Sequence, residues 1–342
     1  TVVAILQDGE PLKSVKAGER VEVVVAETCF YVESGGQVSD TGFIAAYPPE
    51  GDEPIWEIEV QEARRAVPGL IIHAGTVKSG RPRVGDVAWV IVNYEQRMDV
   101  ARNHTATHLL QSELRYILGD HVQQAGSLVT PERLRFDFTH PTMLTEDELD
   151  AVTRSVNDAI LANYPVDVAE EKYRQAISEG VIALFGEKYG DVVRVVRVGD
   201  VSNELCGGTH LERAGSIGFF KIVSEESVAQ GVRRITAVTG AGALDAVHGL
   251  EERLAEVAGI LDAPEARLAD RARDLVAENR KLRKDIEREA AQRASSAAGD
   301  LASKARRAGS ARAIVERLDG LSVDDLRKCI DGLKKETNLV TI

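Results

Sequence analysis

Cysteine is scarce in this chain: Cys29, Cys206 and Cys329 are all that 342 residues contain. Three cysteines cannot build a disulfide framework, so a reducing cytoplasm is the expected setting. No run of about 18 apolar residues exists, and no segment is expected to span a membrane. The opening residues, Thr-Val-Val-Ala-Ile-Leu-Gln-Asp, lack the basic region and the cleavage site of a signal peptide. They also lack an initiating Met, as an excised fragment would. Positive charge is in deficit: 42 Lys and Arg against 55 Asp and Glu leave −13. A balance of that sign argues against a nucleic-acid partner. Its distribution softens the objection, because residues 265–312 hold 13 basic and 8 acidic residues, a local +5. A basic arm on an acidic body can supply phosphate contacts, with Arg280, Lys281, Arg283 and Lys284 as the candidates. The same charges would equally form the solvated face of a long helix.

What is present is an ordinary globular composition, 44% apolar and 28% charged, long enough for two or three domains. Residues 1–92 read as short strands (Val2–Leu6, Arg20–Val25, Ile55–Glu62, Leu70–Val77, Asp86–Val92) separated by Pro- and Gly-rich turns. That density predicts a small β-barrel. Residues 93–240 mix helices and strands without the spacing or glycine fingerprint of a doubly wound sheet. A helix over Tyr94–Leu118 is followed by strands at Gln124–Thr130 and Arg133–Phe138. Thr145-Glu-Asp-Glu148 is a capping box opening a helix to about Asn163. Further strands are expected at Val166–Ala169, Val192–Val198, Gly218–Val223 and Val232–Val238. An antiparallel sheet with helices on one face, an α+β class, fits this order.

From Leu244 the composition shifts to Ala, Leu, Arg and Glu, and residues 241–342 read as a helical region. Leu254, Leu261, Leu268, Leu275 and Leu282 recur every seven residues, with Pro264 interrupting. Leu268, Ala272, Leu275, Asn279, Leu282 and Ile286 would form a coiled-coil seam. Residues 291–308 are expected as a return helix stopped by Gly309. Short amphipathic pieces around Leu326, Ile330 and Leu333 and a strand at Asn338–Ile342 complete the chain.

Two pentapeptides carry chemistry: His104-Thr-Ala-Thr-His108 and Cys206-Gly-Gly-Thr-His210. They contain four of the chain's ten His and Cys residues. On a helix, His104 and His108 are i,i+4 neighbours on one face. Gly207 and Gly208 would let a loop fold tightly enough for Cys206 and His210 to converge. Three imidazoles and a thiolate suit one Zn²⁺ best among common metals. A zinc peptidase of the His-Glu-x-x-His kind is disfavoured, because position 105 is Thr and the general base is missing. Ser34-Gly-Gly-Gln37 reads from its residues as a hairpin turn, or as a pocket wall of backbone N–H groups with the Gln37 amide.

These pentapeptides in context, Asn103–Leu110 and Glu204–His210, resemble the editing domain of alanyl-tRNA synthetases. So do Glu33-Ser-Gly-Gly-Gln37 with Asp40-Thr-Gly42, Leu134–Phe138 and Ala183–Tyr189. The resemblance runs in order over about residues 1–240 and extends more weakly into the helical part. It fits a C-terminal portion of a synthetase or a free-standing editing protein of the AlaX type. The aminoacylation and tRNA-recognition domains have no counterpart here, so ATP belongs to a missing domain.

The resemblance implies hydrolysis of seryl- or glycyl-tRNA for alanine. An alanine pocket rejects serine poorly, and a second hydrolytic sieve supplies the missing discrimination. It assigns His104, His108, Cys206 and His210 to the metal, and Gln124 to deacylation. Gly35, Gly36 and Gln37 fall on the pocket border, with Thr105 and Thr107 near the metal or in the core. Four protein ligands would close a zinc site, so hydrolysis would need a fifth position, another activating group or a displaceable ligand, for which His210 is the candidate. The tRNA for alanine is the expected partner, and a homodimer through the C-terminal region is a further expectation. Three readings compete with this one: the related threonyl-tRNA synthetase editing domain, a non-catalytic tRNA-binding or dimerisation module with structural zinc, and the zinc peptidase.

Overall fold

The start of the chain forms seven strands, several of them alternating in burial: β1 (Val2–Gln7), β2 (Glu10–Leu12), β3 (Arg20–Val25), β4 (Gly42–Ala46), β5 (Trp56–Val67), β6 (Leu70–Ser79) and β7 (Trp89–Val92). They pair antiparallel in the order β2-β1-β3-β6-β5-β4-β7. Val21, Val23 and Val25 point into the core with Ile5, Ile44, Ile58 and Trp56. The expected barrel is not closed: β2 and β7 remain the edges of an open sheet. The 82–86 loop draws the ends together, with Val2 N on the Asp86 carbonyl (2.8 Å), Gly85 N on the Val2 carbonyl (2.9 Å) and an isolated bridge between Ser14 and Arg83.

The computed structural model describes residues 1–183, 189–309, 311–317 and 323–336. These fall into two units, Thr1–Gly249 and Leu250–Ile342. The expected strand at Asn338–Ile342, and Leu184–Lys188 of one quoted motif, lie outside the described residues.

The first unit continues with α1 (Tyr94–Leu118), whose N-cap Asn93 accepts from Gln96 N at 3.2 Å. Then follow β8 (Gln124–Val129), β9 (Leu134–Thr139), α2 (Glu146–Leu161), β10 (Val166–Lys172) and the short α3 (Tyr173–Ser178). Next come β11 (Val192–Val198), β12 (Ser202–Leu205), β13 (Phe220–Ala229) and β14 (Val232–Thr239). The order β13-β14-β9-β8 makes a second antiparallel sheet, and β10-β11-β12 a third. Leu134, Phe136 and Phe138 of β9 and Ile235 of β14 pack with Leu109, Leu110 and Leu114 of α1 and Val152 and Val156 of α2. Each large apolar side chain so buried contributes about 1.5–3 kcal/mol relative to exposure. Both partners of the capping box form: Glu148 N donates to Thr145 Oγ1 (3.2 Å), and Thr145 N to the Glu148 carboxylate (2.8 Å).

Helix α1 is buried on every side from Asn103 to Gln111. One face belongs to the core, and the other carries polar side chains that a core alone would not tolerate. Asn103 fixes the helix by donating to the carbonyls of Thr130 (2.8 Å) and Pro131 (3.1 Å) and accepting from Thr239 Oγ1 (2.7 Å). This anchoring sets where His104 and His108 point.

Helix α4 (Gly240–Leu261) crosses from the first unit into the second. The second unit then holds α5 (Leu268–Ser303), the hairpin β15 (Arg306–Ala308) and β16 (Ala311–Ala313), and α6 (Val323–Glu336). Residues 291–303 are not a return helix but the continuation of α5, because no Gly or Pro breaks the Ala-rich run before residue 299 and Gly299 is tolerated. The returning partner is α6, whose Cys329 and Leu333 pack against Ala294, Ala298 and Leu301. Leu282 and Ile286 of the heptad series are exposed (54% and 66%), so no coiled-coil seam is closed over them among the described residues. Among those residues no helix is long and apolar enough to cross a membrane.

Candidate metal centre and its pocket

Strand β12 ends at Leu205 and delivers Cys206 to the polar face of α1. Imidazoles of His104, His108 and His210 and the Cys206 thiol gather there, with one ligating atom of each lying within 4.8 Å of all the others. Cys206 Sγ is 3.3 Å from Nε2 of His104 and 3.3 Å from Nε2 of His210. The far nitrogen of each ring meets a different group. His104 Nδ1 lies 2.6 Å from Gln37 Oε1, and His210 Nδ1 lies 3.2 Å from Thr105 Oγ1. Glu204 Oε2 comes within 3.1 Å of His108 Nδ1, off the axis of a hydrogen bond. Anchoring Nδ1 of an imidazole leaves Nε2 free as a ligand, which is how metal-binding histidines are usually oriented. The four residues therefore form a group able to hold a metal ion.

The electrostatics favour the ligand state at Cys206 and His210 and oppose it at His108, which must give up its proton to bind an ion. Burial opposes charge on His108, yet Glu204 and Cys206 outweigh it and hold its pKa well above 6.5. Burial also opposes a Cys206 thiolate, and His104 and His108 overcome that, placing its pKa well below the usual thiol value. His210 is driven down to about 3 by burial and by the neighbouring His104, so it stays neutral. A thiolate among imidazoles is the state a metal requires.

Of the two loop glycines, only Gly208 is demanded by sterics. A Cβ there would overlap the His104 ring, whereas one on Gly207 would meet open space. Ser34-Gly-Gly-Gln37 is a hairpin turn: Gln37 N donates to the Ser34 carbonyl (3.0 Å), with Gly35 and Gly36 at φ 61° and 84°. The same turn docks on β8, where Val129 N donates to the Gly36 carbonyl (2.7 Å) and a Gly36 Cβ would strike the Ser127 carbonyl.

A cavity of about 280 Å³ opens beside the cluster. Ser34, Gly35, Thr107 and Gln124 line it with His104, His108 and Cys206. Gln37, Gly36 and Thr105 do not reach the cavity and stand behind its wall. Gln37 is 1% exposed and receives Thr209 N (2.9 Å) in addition to His104. The Thr105 hydroxyl also accepts from Leu211 N (3.2 Å), and Thr107 donates to the Asn103 carbonyl (2.8 Å). Sequence reasoning assigned no role to Tyr31, Gln111, Arg194 or Glu204, all of which line the cavity. Glu204, two residues before Cys206 in a motif already singled out, could have been found by its spacing. Arg280, Lys281, Arg283 and Lys284 lie exposed on α5 of the second unit.

Residues 193–236 match the threonyl and alanyl tRNA synthetase second additional domain. Residues 1–96 match the class II (A) tRNA synthetases. The alanine–tRNA ligase of Stenotrophomonas maltophilia is 43% identical over 98% of this chain and 37% of its own length. That of Desulforamulus reducens is 43% identical over 97% of the chain, again 37% of its own. The alanine–tRNA ligase of Acidithiobacillus ferridurans, at 43% identity, aligns with 98% of the chain. The chain thus spans little more than a third of the length of the curated relatives it matches. Across nearly all of its residues it is homologous to one portion of the alanine–tRNA ligases.

Proposed function

We propose that this chain hydrolyses the ester of tRNA for alanine mischarged with serine or glycine. The observation that carries the reading is the juxtaposition of the three-histidine, one-cysteine cluster with a cavity that Gln124 lines. His104, His108, Cys206 and His210 would hold one zinc ion, the metal that best suits three imidazoles and a thiolate. A zinc bound there supplies Lewis acidity toward an ester carbonyl or a water molecule.

The chain's own groups do the rest. Gln37, Glu204 and Thr105 orient the three imidazoles from behind. Gln124 presents an amide, both donor and acceptor, on the cavity wall to position the ester or the attacking water. Ser34 and Gly35 contribute a small polar wall beside the cluster. The hydroxyl anchor on His210 is neutral and at 3.2 Å, weaker than the 2.6 Å Gln37 anchor on His104, so of these two ligands His210 is the more easily displaced. Residues 1–92 and 93–240 together build this site. The basic face of α5 would contribute phosphate contacts, and the C-terminal region a homodimer contact. ATP would serve only a ligation domain outside this sequence, and the setting is the cytoplasm.

The test is deacylation of seryl-tRNA for alanine beside alanyl-tRNA, with the parent and Cys206→Ala assayed for zinc on the same samples. Selective loss of the seryl ester, abolished together with zinc, supports the proposal. One bound zinc without hydrolysis favours the second reading, a tRNA-binding module with a structural metal, for which the four protein ligands are the motivating observation.

A further inference from the structure

Among the half-buried arginines of the first unit, Arg194 stands apart. Arg97, Arg197, Arg233 and Arg234 each face a carboxylate: Asp40, Glu171, Glu225 and Asp137 respectively. Arg194, on β11, pairs with no carboxylate among the described residues. Its Nη1 donates to the Cys206 carbonyl at 2.8 Å, and its own carbonyl accepts from Cys206 N at 3.1 Å. The backbone bond sets the strand beside the Cys206 loop, and the Nη1 bond holds the side chain on the cavity wall, next to the metal cluster. The remaining N–H groups of the fork have no partner among the described residues. A half-buried guanidinium without a counter-ion is costly unless a ligand brings the charge.

We propose that Arg194 binds the phosphodiester next to the terminal nucleoside of the acylated RNA, and so positions its ester at the cluster. This rests on the deacylase reading above. The chemistry selects the phosphate. The α-amino group of an aminoacyl ester is cationic and is repelled by Arg194, the ester carbonyl is neutral, and the terminal ribose and base carry no charge. The phosphodiester is the anionic group at the end of such a substrate, and the planar fork of arginine matches two of its oxygens. Arg194 is a positioning residue: it acts on where the ester lies and leaves bond cleavage to other groups.

The test compares two substrates, seryl-tRNA for alanine and the phosphate-free 3′-O-seryl-adenosine, in the parent, Arg194→Gln and Arg194→Lys across a salt series. Zinc is measured on every sample. The expected result is that Arg194→Gln lowers kcat/KM on the RNA, chiefly through KM, by roughly 10- to 100-fold, as for loss of a charge-assisted bond. That loss exceeds the loss on seryl-adenosine by about tenfold or more. The slope of log(kcat/KM) against log salt falls by about 0.7 in the Gln variant, as for one single-strand phosphate contact, and is kept by Arg194→Lys. Equal losses on the two substrates would assign Arg194 to the reacting ester and overturn the proposal. Zinc loss in Arg194→Gln would make it a prop for the Cys206 loop and overturn the proposal as well. If the parent hydrolyses neither substrate, the deacylase reading fails by itself. Binding of an unacylated oligonucleotide ending in CCA then still judges Arg194: a salt slope unchanged by the Gln variant overturns the proposal, and a reduced one upholds it.

Discussion

Gln37 holds His104 across 67 residues of sequence: its Oε1 lies 2.6 Å from His104 Nδ1 and also accepts Thr209 N at 2.9 Å. Its amide nitrogen donates to Thr209 Oγ1 at 2.9 Å. One buried side chain therefore ties the first sheet, the histidine helix and the cysteine loop together. Replacing Gln37 by Ala leaves buried donors unpaired, at about 1–3 kcal/mol each. The expected fall in zinc affinity is roughly 10- to 100-fold, the usual effect of losing such a supporting partner. Competition with a chromophoric chelator measures it, and an unchanged affinity would show that Gln37 does not orient His104.

The two loop glycines should separate cleanly. Gly208→Ala drives a methyl into the His104 imidazole, whereas Gly207→Ala meets nothing. Zinc stoichiometry near zero in the first and near that of the parent in the second is expected. Equal stoichiometry in both variants would contradict the geometry of the loop.

Buried His73 gives the first unit an acid sensitivity. Its Nε2 meets Thr28 Oγ1 at 2.8 Å and its Nδ1 the Val23 carbonyl at 3.2 Å, while burial lowers its pKa below 6.5. Above pH 6.5 both folded and unfolded states carry a neutral ring, and the group contributes nothing to the pH dependence. Below 6.5 the unfolded chain takes up a proton that the folded one resists, so stability falls with pH until the folded-state pKa is passed. Denaturant midpoints should decline from pH 6.5 downward and decline less in His73→Gln. Identical slopes in the two proteins would rule out His73 as the source.

Thr145→Ala removes the N-cap acceptor of α2 and should cost about 1 kcal/mol. The expected signature is a lower denaturant midpoint with the m-value unchanged. A cost below a few tenths would mean that packing of Val152 and Val156 alone fixes the start of this helix.

Much of this architecture was legible because period and punctuation agreed. Helix α1, β3 and β11 occupy the spans their residues announce, and the Thr145–Glu148 box caps α2 as its spacing requires. Strand β4 escaped because Gly42–Ala46 is buried on both faces and shows no alternation. Strand β12 escaped because Ser202-Asn-Glu-Leu205 has only one apolar residue. The barrel failed to close because strand density says nothing of how the edges meet. At the site, i,i+4 spacing exposed the histidines and the cysteine. Arg194 and Tyr31 carried no such signal, since their place depends on contacts between distant segments.

The central claim is that a metal held by His104, His108, Cys206 and His210 makes this pocket a selective deacylase. The most direct measurement strips the parent protein of metal with a chelator, restores zinc stepwise, and follows seryl-tRNA and alanyl-tRNA hydrolysis at each step. The account predicts that seryl-ester hydrolysis rises with zinc to a plateau at one ion per chain, while alanyl-tRNA is spared. Hydrolysis at full rate without metal, or equal attack on both esters at one zinc per chain, would contradict it.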